Sequence, residues 1–147
     1  MDDITLRAAA AEDEDFCYRV QKAAMQAYVA QTWGAWDEGF QQAYFRARFD
    51  PAANQIIALN GVEIGVFSAE QRAEAVFLAK LYILPAYQGR GIGTRLIRAL
   101  LNEAFSKGLP VALRVLKVNP ARWLYERLGF AIVAEKDAFF SMQATPP

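Results

Sequence analysis

Val76-Phe77-Leu78-Ala79-Lys80-Leu81-Tyr82-Ile83-Leu84 runs into Pro85, and Gln88-Gly89-Arg90-Gly91-Ile92-Gly93 follows. Thr94 then opens an amphipathic segment that reaches Lys107. An apolar run, a cluster of glycines and a helical period in that order predict strand, glycine-rich turn, helix. A turn with few side chains lets a ligand come close to the backbone. The helix start leaves N–H groups without internal partners, and the helix dipole adds partial positive charge there. Together they make a site for phosphate.

Three phosphate-binding patterns compete for this stretch. A Walker loop ends in Gly-Lys-Ser/Thr, where this chain has Gly93-Thr94-Arg95. A dinucleotide fingerprint needs a third glycine where Thr94 stands and an acid at a later strand end, but the nearest acid, Glu103, falls mid-helix. Gln88-x-x-Gly91-x-Gly93 after a strand that stops at Pro85 resembles the acetyl-CoA motif of the GNAT N-acetyltransferase superfamily. The resemblance implies that the backbone of Gln88, Gly89, Arg90, Gly91, Ile92, Gly93 and Thr94 holds the coenzyme A pyrophosphate. The plainer alternative is an ordinary turn.

A chain of 147 residues, 54% hydrophobic, is sized for one domain over residues 1–147 with a sizeable core. No apolar run approaches the ~20 residues of a membrane span, and Met1-Asp2-Asp3 does not open like a signal peptide. One cysteine, Cys17, cannot form an internal disulfide, which agrees with a reducing cytoplasm. There is no histidine, which removes Ser-His-Asp and Cys-His catalysis and His-ligated zinc. No metal is expected, and proton transfer falls to carboxylate, tyrosine, lysine or water. Zero net charge argues against nucleic-acid binding. The charge is nonetheless uneven: residues 1–79 carry 12 acids and 6 bases, and residues 80–127 carry 2 acids and 9 bases. An anionic cofactor on the basic part and a cationic acceptor on the acidic part would explain the split, and so would solvated faces.

Along the chain, Ile4 to Arg7 alternates as a first strand. Glu12 to Asp15 start a helix expected to end near Ala30. Asp37 is a candidate cap for a second helix, with Phe40, Tyr44 and Ala47 on one face expected to pack on a sheet. Trp33 and Trp36 fall in the connection with Gly34, as pocket wall or as core. Gln55 to Leu59, Asn60-Gly61 and Val62 to Phe67 predict a hairpin with a type I′ turn. A turn near Gln71-Arg72 leads into the strand at 75–84. After the glycine turn, Ile97, Leu100, Leu101, Ala104 and Phe105 form a stripe, and Lys107-Gly108 end that helix. Val111 to Val118 is a strand, expected parallel to 75–84 across the helix crossover. A short helix at 121–128 and a last hairpin around Asp137 complete the order β-α-α-β-β-β-α-β-α-β-β. It predicts an α/β domain, which the resemblance makes a GNAT-like three-layer α/β/α fold with a mixed central sheet.

Asn119-Pro120-Ala121-Arg122-Trp123-Leu124-Tyr125-Glu126-Arg127-Leu128-Gly129-Phe130 resembles the second GNAT motif, Asn-x-x-Ala-x-x-x-Tyr-x-x-x-Gly-Phe. The resemblance puts Asn119 on the pantetheine arm, Arg122 on the cofactor and Tyr125 beside the thioester sulfur. It also implies that pantetheine amides pair with the backbone of Leu81, Tyr82 and Ile83, where two parallel strands part. Without it, Asn119 is a helix cap and Tyr125 a core residue.

The chemistry implied is acyl transfer from acetyl-CoA to a primary amine of a small molecule or peptide. A thiol has a pKa of about 8.5, so the leaving thiolate needs only a nearby donor, which a tyrosine hydroxyl supplies. Some family members carry a carboxylate base on the key strand, but Val76 to Ala79 has none. Asp37, Glu38 and Glu74 are the remaining acids for that role, with Trp33 and Trp36 beside the first two as acceptor-side candidates. Asp37 as a cap and Glu38 as a solvated acid are equally allowed. A homodimer is compatible with the resemblance. A non-catalytic acyl-CoA sensor and a protein N-terminal or lysine acetyltransferase are the alternatives.

Overall fold

The computed structural model describes residues 2–147. Its elements are β1 (Ile4–Ala8), α1 (Glu14–Trp33), α2 (Glu38–Arg48), β2 (Gln55–Leu59), β3 (Val62–Gln71), β4 (Val76–Ile83), α3 (Ile92–Ser106), β5 (Val111–Leu116), α4 (Ala121–Arg127), β6 (Ala131–Lys136) and β7 (Phe139–Ala144). Three single 3-10 turns, Ala11–Asp13, Pro51–Ala53 and Pro85–Tyr87, add to the expected order without changing it. The strands form a mixed seven-stranded sheet in the order β1-β2-β3-β4-β5-β7-β6. Contacts group the residues into two compact units.

The first unit takes the chain through Ser68 together with Lys80–Arg90. β1 pairs antiparallel with β2, and β2 with β3, across a turn in which Asn60 (φ 51°) and Gly61 (φ 83°) are left-handed, as a type I′ hairpin requires. Ala9, Cys17, Val20, Phe45, Ile56 and Val66 form a buried cluster, rimmed by Phe16, Tyr18, Phe49, Tyr82 and Leu84. Gly65 on β3 lies so close to the Tyr82 carbonyl and the Ile83 Cα that a Cβ there would collide with the β4 backbone.

Two expectations need correction in this unit. α1 does not stop near Ala30 but continues to Trp33, where Gly34 (φ 92°) returns its N–H to the Ala30 carbonyl. A left-handed glycine ends the helix, and the Thr32 hydroxyl bonds back to the Tyr28 carbonyl inside it. Phe40 and Tyr44 do not pack on the sheet: they are 60% and 49% exposed, while Phe45 is buried. α2 carries two aromatic rows. The row that continues from Phe45 to Phe49 stacks at 5.4 Å and meets Tyr18, so the other row turns out. There Phe40 and Tyr44 contact each other, and the Arg48 guanidinium stands 3.7 Å from the Tyr44 ring centre.

The second unit comprises Ala69–Ala79 and Gly91–Pro147. β4 and β5 pair in parallel at Val76↔Val111 and Phe77↔Ala112. β5 pairs antiparallel with β7 along its length, and β7 with β6. α3 buries Ile92, Leu96, Ile97, Leu101 and Ala104. Its end closes as expected, with Gly108 left-handed at φ 71° and the Leu109 N–H reaching back to Ala104. β5 ends at Leu116, two residues short of expectation, because Lys117 turns to bond the Ala138 carbonyl.

Candidate functional site

The glycine-rich turn is built from a strand end, a single 3-10 turn and a helix start. Tyr87 and Gln88 donate back to Leu84 and Pro85, closing the turn that Pro85 opens. Gln88 Nε2 then bonds the Ile83 carbonyl at 2.8 Å, which braces the turn on the end of β4. Gly89 (φ 77°) and Gly91 (φ 79°) are both left-handed, and nothing lies within 4 Å of the place a Cβ would take on either. Arg90 between them lies over Tyr87 at 5.2 Å.

Gly91 caps α3 with no side-chain bond to the helix, and its carbonyl takes the first helical N–H, from Arg95. The helix therefore starts at Ile92, two residues before the expected Thr94. Gly93 and Thr94 belong to its first turn. The amides of Ile92, Gly93 and Thr94 precede that first bond, so the helix itself does not satisfy them. The fit to a pyrophosphate is good on this ground: bare left-handed glycines face open space, and helix-start amides follow directly. Leu81, Tyr82 and Ile83 are half-buried at the end of β4. The Tyr82 side chain packs on the buried cluster, where desolvation pushes its phenol up to about 12.

In the second unit, Asn119 Oδ1 accepts from the Ala121 N–H at 2.9 Å. Asn119 stands two residues before Ala121 and six before Tyr125, one fewer in each case than the second motif specifies. Its side chain thus meets the first amide of α4, one residue beyond the Pro120 at the helix boundary. Tyr125 is half-buried on α4, as is Ala121 one turn before it, and its ring meets Phe130 edge-on at 5.7 Å. The Arg122 guanidinium lies over Trp123 at 4.1 Å from the ring centre and over Phe140 at 4.9 Å. Its Nε is buried without a hydrogen bond, with Glu126 at 3.9 Å in ion-pair range only.

The acceptor-side candidates lie in the first unit. Trp33 ends α1 and is 59% exposed. Asp37 Oδ1 accepts from the Phe40 N–H and so caps α2. Glu38 is a hub: it takes Lys22 Nζ at 3.0 Å, Trp36 Nε1 at 2.8 Å and Gln42 Nε2 at 2.9 Å. The Lys22 ammonium first, then the Trp36 and Gln42 donors, hold the Glu38 carboxyl down at about 2. A carboxylate held so low is a poor proton acceptor at neutral pH. Glu74 is exposed in the turn before β4. Lys80 and Tyr18, both beside Phe45, were not singled out in the sequence; the available signal was one lysine inside a nine-residue apolar run. Among the described residues no cluster of three or more acids or cysteines could hold a metal, and no helix is long and apolar enough to cross a membrane.

The family model described as an acetyltransferase (GNAT) domain matches residues 42–132. A ribosomal protein bS18-alanine N-acetyltransferase of Haemophilus influenzae is 36% identical over 72 residues, 48% of this chain and 49% of that protein. A mouse thialysine N-epsilon-acetyltransferase is 36% identical over 70 residues, 46% of this chain and 41% of that protein. The aligned part thus spans about half the length of the curated relatives or less. In fold, the chain is similar to the PaiA N-acetyltransferase of Thermoplasma acidophilum solved with coenzyme A: TM-score 0.75 at 19% identity, covering 97% of this chain and 99% of that one. The match takes in the glycine-rich turn, α3 and the Tyr125 helix together, and the chain belongs to the GNAT acetyltransferase family.

Proposed function

We propose that this chain is an acetyl-CoA-dependent N-acetyltransferase, acting as one domain on a primary amine of a small molecule or peptide. The observation that carries this is the turn from Gln88 to Gly93: two left-handed glycines open to solvent, followed by the uncapped start of α3. The amides of Ile92, Gly93 and Thr94 would hold the pyrophosphate, and Arg90 would add charge beside it. The backbone of Leu81 to Ile83 would pair with the pantetheine amides as an added strand does. The parallel register at Val76 and Phe77, with Leu78 and Ala79 beyond its last pair, supports strands that part there.

Acetyl-CoA supplies an activated acyl group, and the chain's own residues do the rest. The attacking amine forms a C–N bond, the C–S bond breaks, and Tyr125 gives its phenolic proton to the departing sulfur. The proton shed by the amine restores the phenol, so the products are an amide and free CoA thiol. Asn119 positions α4, and through it Tyr125, by capping Ala121. Glu38, held low by Lys22, is a poor base, so the neutral fraction of the amine is what would react. A cytoplasmic setting and a homodimer are compatible with this proposal; the lone buried cysteine suits the first.

Thiol release from acetyl-CoA, measured as amines are supplied one at a time, tests it. Amine-dependent thiol release with a matching acetylated product is the expected result. Tight CoA binding without amine-dependent release would leave a binding protein on the same fold.

A further inference from the structure

In the first unit, Gly65 is a glycine that its own backbone does not require. It is not among the left-handed glycines, and it is buried in β3. Glycine inside a strand weakens it, and such a residue often marks the close approach of another backbone. Here that backbone is β4. A Cβ on Gly65 would collide with the Tyr82 carbonyl oxygen, and would stand 3.0 Å from Ile57 Cδ1 and 3.4 Å from the Ile83 Cα.

Residues of a regular strand carry a Cβ without meeting the neighbouring backbone, because side chains stand out of the sheet while the ladder lies in it. The collision therefore means that the Tyr82–Ile83 peptide is tipped out of the ladder and over Gly65. It is held on both sides. The Tyr82 side chain packs on the buried cluster, the Leu84 N–H bonds the Ile64 carbonyl at 2.9 Å, and Gln88 Nε2 bonds the Ile83 carbonyl at 2.8 Å. The peptide is trans and planar, so its C=O and N–H point in opposite directions. With the carbonyl over Gly65, the Ile83 N–H points away from β3.

We propose that Gly65 is a positioning residue for acetyl-CoA: the room it leaves for the Tyr82 carbonyl aims the Ile83 N–H at a carbonyl of the pantetheine arm. This rests on the acetyl-CoA function above, and adds to it a residue of β3, a strand that neither sequence motif covers. A side chain at position 65 pushes the Tyr82 carbonyl back, and the rigid peptide turns the Ile83 N–H with it.

The experiment titrates the full chain calorimetrically with CoA and with its nucleotide half, 3′-phospho-ADP, which lacks pantetheine. Working below the melting range of each variant keeps loss of stability out of the comparison. Gly65→Ala should bind CoA about tenfold more weakly, as the loss of one well-aimed hydrogen bond implies, and 3′-phospho-ADP within about twofold of wild type. A purely structural glycine would lower Tm but leave the two affinities in their wild-type ratio, and that result overturns the proposal. Gly65→Ala combined with Ile57→Val removes the Cδ1 contact but not the collision with the carbonyl, so the loss should persist. Recovery of CoA affinity in the double variant would assign the effect to packing against Ile57 and overturn the proposal as well. One measurement needs no variant: hydrogen exchange of the Ile83 amide in the wild type, followed by NMR, should slow with CoA and not with 3′-phospho-ADP. Equal exchange with the two ligands rejects the assignment. CoA binding that behaves as stated, without amine-dependent thiol release, upholds the role of Gly65 while the transfer reaction fails. A wild type that binds neither ligand rejects both.

Discussion

Tyr125 and the two glycines that begin α3 are single side chains, or their absence, on which the proposed activity turns. Tyr125→Phe keeps the edge contact with Phe130 and removes only the hydroxyl. General acid catalysis is worth ~10²–10⁴-fold, and the low end suits a good leaving group. The expected result is a kcat loss of about a hundredfold, with stability within about 1 kcal/mol of wild type. Steady-state kinetics beside a thermal melt measure both, and a fully active variant would remove Tyr125 from the mechanism. The glycines behave differently from each other. Gly91 is left-handed, so any side chain there strains the backbone whether or not a ligand binds. Gly93 sits in the first turn of α3 and is not among the left-handed glycines. Gly93→Val is therefore the cleaner test: it should weaken CoA binding more than about tenfold by blocking close approach, at a helix-propensity effect under about 1 kcal/mol. Calorimetric titration of CoA into the folded variant decides it.

At the scale of elements, the first unit is pinned by two contacts that no periodicity announces. One is the close passage of Gly65 under the Tyr82 carbonyl of β4. Gly65→Ala must push the β3 and β4 backbones apart, and overpacking of this kind costs about 1–3 kcal/mol; chemical denaturation of the variant measures it. The other is Asp13, which accepts from the Ala10 amide and from both Arg7 terminal nitrogens, tying the first 3-10 turn to β1. These bonds, the Arg7 side chain foremost, hold its carboxyl at about 2 against an ordinary 3.8. A carboxyl depressed by folding stabilises the folded state above its unfolded pKa and stops doing so as pH falls through its folded value. The Tm gap between wild type and Asp13→Asn should thus be constant from pH 6 to 8, shrink below about 4 and approach zero near about 2. A gap unchanged at acid pH would mean that packing, not charge, is what Asp13 supplies. Several ends set by glycine, asparagine or aspartate were legible in the sequence, namely the Asn60-Gly61 hairpin, the Gly108 end of α3 and the Asp137 hairpin, where that residue adopts φ 52°, although the Gly34 end of α1 was placed too early. The inward face of α2 was not, because Phe40-Tyr44 and Phe45-Phe49 have the same helical spacing and only the neighbouring Tyr18 chooses between them. Likewise Glu38 reads as a first-turn acid until Lys22, sixteen residues earlier in the chain, is brought to it by the fold.

Across the whole molecule, the uneven charge of the sequence proves a poor guide to free charge. Arg7 answers Asp13 and Glu63, and Lys22 answers Glu38, so three of the acids before residue 80 are held in ion pairs, although pairing within the segment leaves its net charge unchanged. What the sequence did convey at this scale was the order of elements, since strand, turn and helix signals are local. What it could not convey was which distant charges meet. Cys17, the chain's one cysteine, is 3% exposed in the buried cluster, and burial pushes its thiol up to about 11. A thiol both inaccessible and protonated is chemically silent. The folded protein is therefore expected to give no colour with a disulfide-exchange dye, and one equivalent per chain once unfolded by denaturant. Prompt reaction of the native protein would contradict the burial. The practical result is that an assay of the proposed activity carries its own blank: every thiol counted while the fold holds would come from CoA, and a slow rise without amine would report loss of the fold. A cysteine introduced on the surface would also be the sole point of attachment for a fluorescent label, with no native residue to be removed first.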